Sequence, residues 1–288
     1  MFKIAILGCE NSHAKHFTDL IAKGAYPDME VVGVYSEKYS AAEALNREFG
    51  VPIMQDYAEL AGRVDGVMIT ARHGDNHYRY AKPYLDDGIP FFIDKPITCN
   101  EAEAVEFMQV AKKKGLRLCG GSTCAALKET LELADDVQHG TLGEVRGGWV
   151  EAPIHMDSPY GGFYFYAQHL VEIMTTIFGN DMKRVRAHRD EKSVSFTACY
   201  DGFHVTGTYL ESVPYYTAAV YGSEGARLET LTFSPDNYRH EVNDMHDLLV
   251  GKDMKKSYSD FIKPVFIFNA ILRSMESSDW ESVADVQI

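Results

Sequence analysis

The chain has 288 residues, 45% of them hydrophobic and 24% charged, with a formal net charge of −14. That is enough apolar material for the cores of two ordinary domains, and it contains no run of about 18 apolar residues that would span a membrane. The acidic balance excludes broad binding to nucleic acid or anionic membranes, which need basic surface, but leaves room for a local phosphate pocket.

The N-terminus, Met1-Phe2-Lys3-Ile4, enters a strand pattern directly and lacks the regions of a signal peptide. Cys9, Cys99, Cys119, Cys124 and Cys199 form no C-x-x-C pair, which fits reduced thiols and a cytoplasmic location.

The first 120 residues alternate strand and helix signals. Residues 3–7 form a short aliphatic strand, followed by a helix over about 14–22 and a second strand over 30–35. A helix over 41–49 stops at Gly50, with Pro52 beyond it. A third apolar strand covers 66–70, a helix runs over 77–87 to Gly88, and a fourth strand covers 90–93. Asn100 caps a helix reaching Lys114, with Glu103 placed as in a capping box, and Gly115 ends it before a fifth strand at 116–119. This alternation predicts a parallel sheet with right-handed crossovers.

After Gly121 a helix over about 125–137 precedes partly alternating segments at 143–152, 185–188, 193–200, 203–210 and 215–221, which read as an antiparallel sheet. Asp201-Gly202 suits a hairpin turn. Helices are expected over 169–178 and 263–277, and Met245-His246-Asp247 reads as surface helix. The fold class is an α/β Rossmann domain, residues 1–120, with a second α+β domain, residues 121–288, built on an open, mainly antiparallel sheet. The closing helix is free to pack back on the first domain.

Three stretches carry chemistry. Phe91-Phe92-Ile93-Asp94-Lys95-Pro96 ends a buried strand in an acid, a lysine and a proline, at the sheet edge where open α/β folds bind ligands. The proline biases Lys95 toward an extended backbone. The plain alternative is a surface lysine at a loop entrance. After the first strand, Gly8-Cys9-Glu10-Asn11-Ser12-His13 stands where a dinucleotide loop would read G-x-G-x-x-G. Gly8 fills the first position, but Glu10 takes the second and His13 the third. A carboxylate at Glu10 would repel a diphosphate if it pointed inward, whereas the following helix N-terminus suits an anion. At the end of the second strand, Ser36 stands where an acid usually accepts the ribose hydroxyls of NAD, with Glu37 and Lys38 after it. A hydroxyl and a lysine favour NADP over NAD, although Glu37 could rotate into the same space.

The order of these signals resembles the glucose–fructose oxidoreductase and inositol dehydrogenase family, Gfo/Idh/MocA, across nearly the whole chain. The residues that carry the resemblance are Asp65 to Thr70 followed by His77, Asp94-Lys95-Pro96 in place of the family's E-K-P, Leu142-Gly143-Glu144-Val145, and the closing helix from Pro264 to Ser277. Thr70-Ala71-Arg72 departs from the family's usual T-P pair and adds a cation beside the cofactor crevice. On the family's D-x-x-x-H helix, His169 matches the histidine, Glu172 a commonly acidic position, and Phe165 stands where the aspartate would be.

The resemblance implies an NAD(P)-dependent oxidoreductase acting on a sugar, inositol or related polyol. Lys95 would stabilise the reacting oxygen and His169 would take the proton, its ordinary pKa near 6.5 suiting neutral pH. The cofactor residues would be Gly8, Glu10, Asn11, Ser12, His13, Ser36, Lys38, Thr70, Ala71, Arg72, His77, Asp94, Lys95 and Pro96; Tyr164, Tyr166 and Gln168 would meet the substrate. The alternative is a binding or regulatory protein that keeps the fold without turnover, for which Glu10, His13 and Phe165 argue. His155-x-Asp157 and His169-x-x-Glu172 offer metal ligands, but neither completes a coordination sphere, so no metal is expected. Alternating Phe196, Tyr200, Tyr209 and Tyr216 predict a sheet face shared between subunits, in a homodimer or homotetramer.

Overall fold

A computed structural model describes residues 1–234 and 236–288. The chain divides into two compact units.

The first unit carries β1 (Phe2–Leu7), α1 (Ser12–Ala22), β2 (Met29–Tyr35), α2 (Tyr39–Phe49), β3 (Gly66–Ile69), α3 (Asp75–Ala81), β4 (Phe91–Asp94), α4 (Glu101–Lys114) and β5 (Leu118–Gly121). The strands are parallel in the order β2-β1-β3-β4-β5. Every residue of β3 and β4 is buried, as expected of strands covered on both faces, which is why they read as unbroken apolar runs. The order reverses beside β1, so the loops after β1 and β3 flank the crevice where such sheets take ligands.

The first unit also takes in α7 (Asn237–Leu249), from far along the chain. A boundary near residue 120 does not provide for this. Met245, read from sequence as surface helix, is fully buried; its Cε fills the space over Gly66 where a Cβ would stand, 2.3 Å from that position. Tyr26 donates to Asn243 Oδ1 and His246 Nε2 pairs with Asp28, further tying α7 to the parallel sheet domain.

The second unit holds α5 (Lys128–His139), β6 (Val145–Ile154), α6 (Tyr164–Phe178), β7 (Arg184–Arg189), β8 (Ser193–Cys199), β9 (His204–Glu211), β10 (Tyr216–Gly222), β11 (Ala226–Leu231), β12 (Glu281–Ser282) and the part of α8 (Tyr258–Ser277) from Ile262 on. Its seven strands run β11-β10-β6-β9-β8-β7-β12. All pairs are antiparallel except β6 with β9, which is parallel, so the sheet is mixed and mostly antiparallel.

The apolar helix α6 lies on one face of this sheet. Tyr209 is fully buried and donates its hydroxyl to Ala167 O at 2.7 Å, Phe178 packs on Tyr200, and Tyr216 lies against His169. Phe196 lies over Gly207, where a Cβ would come within 2.2 Å of the ring. The four aromatics expected at a subunit contact are therefore packing inside their own unit. The alternation correctly marks one buried face; the element that covers it is α6. Among the described residues no helix is long and apolar enough to cross a membrane, and no cysteine forms a disulfide.

Candidate functional site

In the first unit the loop after β1 is folded around its non-glycine residues. Gly8 has φ +96°, and a Cβ there would lie 2.3 Å from Ala71 N, so only glycine lets the loops after β1 and β3 meet this closely. Thr70, fully buried, donates its hydroxyl to Gly8 O at 2.9 Å and completes the junction. Asn11 caps α1, its Oδ1 facing His13 N, while the exposed Ser12 hydroxyl lies 3.4 Å from Tyr238 on α7.

Glu10 does not point into the helix N-terminus. Its Oε2 accepts from Ser36 Oγ at 2.6 Å and its Oε1 from Arg72 N at 3.1 Å. The feared repulsion of a diphosphate is relieved in this way: the carboxylate is drawn to the ends of β2 and β3. With no acidic side chain in the first turn of α1, the helix N-terminus keeps the electrostatics an anion needs, and these residues fit a dinucleotide. Ser36 is buried and committed to Glu10, while Lys38 lies exposed at the start of α2; the two do not make the phosphate niche expected from sequence.

His13, in place of the third glycine, is 6% exposed. Its Nδ1 lies 3.5 Å from Asp94 Oδ2 and its Nε2 lies 3.4 Å from Glu241 Oε2 on α7. Burial disfavours the charged ring and Lys95 opposes it too, but the two carboxylates prevail and raise the pKa above its ordinary value. The third glycine has thus been replaced by a buried ion cluster that only α7 completes.

Asp94 is fully buried. Its Oδ1 accepts from Lys95 N at 2.7 Å and its Oδ2 from Asn11 Nδ2, so it fastens the lysine strand end to the β1 loop. Lys95 is 5% exposed at the carboxyl end of β4, and Pro96 after it is buried. His77 is fully buried, its Nε2 2.7 Å from Ala71 O; burial lowers its pKa, so it stays neutral and donates from Nε2. Thr70, His77 and Asp94, expected from sequence to touch a cofactor, are enclosed groups that shape the crevice loops.

In the second unit His169 is 7% exposed. Its Nδ1 lies 2.6 Å from Ser122 Oγ, a hydroxyl that also accepts from Cys124 N at 3.1 Å. Glu172, one turn along α6, accepts from Ser122 N at 2.9 Å and from Gln168 Nε2. Gln168 is fully buried and serves this network, where sequence had it facing substrate. Tyr164 donates to Asn269 Oδ1 at 2.9 Å. Tyr166 lies between the rings of His155 and His169, and Phe165 packs on Tyr160 and Tyr166. Tyr216 is edge-on to His169 at 6.0 Å; burial, with Cys124 and Tyr166 nearby, pushes its hydroxyl well above the usual range.

Sequence reasoning missed Ser122 and Glu241, and read Tyr216 as a subunit contact where it is a neighbour of His169. Ser122 carried a local signal, since a serine just after the last Rossmann strand can cap the turn that follows. The other two are joined to their partners only by long-range packing.

Beside this network, near the carboxyl ends of β6 and β9, lies an open cavity of about 830 Å³. His155, Tyr160, Phe165, Arg189, Lys192 and Glu211 are among its lining residues.

Residues 2–122 match the GFO_IDH_MocA family model, described as an oxidoreductase family with an NAD-binding Rossmann fold. The dTDP-3,4-didehydro-2,6-dideoxy-alpha-D-glucose 3-reductase of Actinomadura kijaniata is 25% identical over 146 residues, 50% of this chain and 43% of the relative. The chain spans less than half the length of the curated relatives it matches. Solved structures share the fold over nearly the whole chain, two of them being inositol dehydrogenases. The myo-inositol 2-dehydrogenase of Lactobacillus plantarum has a TM-score of 0.86 at 16% identity, covering 98% of this chain and 99% of the other. The scyllo-inositol dehydrogenase of Lactobacillus casei, with bound NAD(H) and scyllo-inositol, has a TM-score of 0.86 at 14% identity with the same coverages. Residues 2–122 are thus similar in sequence to the Gfo/Idh/MocA oxidoreductase family, and the fold of the described residues is that of the inositol dehydrogenases above.

Proposed function

We propose that the protein is a nicotinamide-dependent dehydrogenase that interconverts a secondary alcohol and a ketone on a sugar, inositol or related polyol. The observation that carries this reading is the buried Lys95 at the carboxyl end of β4, its backbone fixed by Asp94. The carboxyl end of a strand is where open α/β sheets take ligands, and an ammonium held there can stabilise an oxyanion. The matched family, and the NAD(H) and inositol of the Lactobacillus casei structure, support the choice of chemistry.

When bound, the nicotinamide supplies or accepts the hydride. Lys95 hydrogen-bonds the reacting oxygen and stabilises negative charge as it develops. His169 exchanges the proton. The Ser122 hydroxyl can donate to Nδ1 or accept from it, so it holds the ring in place whichever way the proton moves at Nε2. Glu172 in turn fixes Ser122 through its backbone N–H. Phe165 removes the second carboxylate from this helix and leaves the proton work to His169 alone.

The outer face of the second sheet, with Tyr221 and Leu228 exposed, supports association between copies; light scattering that returns a monomer overturns that part. The enzyme reading is tested by titration with both nucleotides, followed by an absorbance screen over inositols, aldoses and sugar nucleotides. Binding with turnover of one class is expected. Binding without any turnover sinks the catalytic reading and leaves a nucleotide-binding protein.

A further inference from the structure

We propose that Glu10 is the acid that receives the adenosine ribose of the cofactor, and that it makes the protein select NAD over NADP. The inference rests on the dehydrogenase reading above.

In dinucleotide-binding folds a carboxylate at the carboxyl end of the second strand takes the ribose hydroxyls. Here β2 ends at Tyr35 and a serine follows. A carboxylate is nevertheless present at this corner, delivered from the β1 loop. Ser36 Oγ donates to Glu10 Oε2 at 2.6 Å, and Arg72 N–H donates to Oε1 at 3.1 Å. Ser36 is buried and Glu10 is partly exposed, so the carboxylate forms the outer surface of the pair. Each carboxylate oxygen can accept more than one hydrogen bond. With one donor on each, both oxygens keep acceptor capacity for the two vicinal hydroxyls of a ribose.

The same two bonds hold the negative charge in place. A 2′-phosphate would arrive beside a carboxylate that is anchored from two sides, and like charges so placed are strongly disfavoured. Two of the neighbouring cations are held elsewhere. Arg79 is paired with Glu37 and lies over the rings of Tyr57 and Tyr80, and Lys38 is exposed at the start of α2. The acid in the glycine loop thereby accounts for a second oddity, a serine directly after β2 where an acid usually stands.

The test is a fluorescence titration of NAD and NADP against the unaltered protein, Glu10→Gln and Ser36→Ala. The unaltered protein is expected to bind NAD at least about tenfold tighter than NADP. Glu10→Gln should bring the ratio to within roughly threefold of unity, mainly by gaining affinity for NADP, a gain that a misfolded variant cannot deliver. Ser36→Ala keeps the carboxylate and its Arg72 N–H bond, and should keep the preference for NAD. Equal affinities or an NADP preference in the unaltered protein, or an unchanged ratio in Glu10→Gln, overturns the assignment while leaving a dehydrogenase. Failure of the unaltered protein to bind either nucleotide removes the dehydrogenase reading itself, and this inference with it.

Discussion

His13 and Glu241 form a buried pair, Nε2 to Oε2 at 3.4 Å, between the first helix of the Rossmann sheet and a helix from the far end of the sequence. With Asp94 on the other ring nitrogen, the imidazole lies between two acids, and their charges raise its pKa against the effect of burial.

The pair makes stability pH-dependent in a defined direction. The folded pKa of His13 is raised above the ordinary value of about 6.5. Its stabilisation is therefore complete below about pH 6.5 and is lost as pH rises through the folded pKa. His13→Gln, which leaves two buried acids without their cation, should cost about 3 kcal/mol near pH 6. The melting-temperature gap between the two proteins should narrow from pH 6 toward pH 9. A gap that stays level or widens would contradict the charged assignment.

Lys95→Met should leave cofactor affinity within a few-fold and lower kcat by about 100-fold or more, the loss typical of one oxyanion donor. A variant that loses nucleotide binding and turnover together would instead make Lys95 a structural ion.

Ser122→Ala removes the partner of His169 Nδ1. A hydrogen bond to a group that becomes charged is worth about 1.5 kcal/mol, so kcat should fall roughly tenfold with KM little changed. Ser122→Thr, which keeps the hydroxyl, should recover most of it. His169→Asn should cost on the order of 10³ in kcat. Steady-state kinetics of the three variants decides; equal losses in Ser122→Ala and Ser122→Thr would point to packing.

The sequence makes most of the first unit readable because its strands are short, apolar and buried on both faces, and its helices carry ordinary caps such as Asn100, whose Oδ1 accepts from Glu103 N at 3.0 Å. The expected start of α6 falls five residues late, since Tyr164 to Gln168 come just after a glycine pair and carry mixed polarity. The parallel pairing of β6 with β9 has no local signature; the order in which strands pair is set by long-range contacts that the residues of neither strand encode. Lys95 in the first unit and His169 in the second stand out as isolated reactive residues next to recognisable breaks. The commitments of Glu10 to Ser36 and of His13 to Glu241 are tertiary, and nothing in the neighbouring residues announces them.

Gly207→Ala checks the sheet–helix core directly. The new methyl would fall 2.2 Å from the Phe196 ring and should destabilise by about 2 kcal/mol. Adding Phe196→Leu should recover part of the loss, because the clash is with that ring. Chemical denaturation of the single and double variants measures the coupling, and purely additive costs would dismiss the contact.

Because α7 supplies Met245 over Gly66 and Glu241 beside His13, the nucleotide domain is discontinuous in synthesis. A nascent chain that has emerged only to residue 122 holds all five strands of the parallel sheet, yet lacks a patch of its core and one acid of its buried ion cluster. Maturation of the earliest-made half must therefore wait for the ribosome to pass Leu249, and an excised 1–122 fragment should emerge as a loosened, aggregation-prone species.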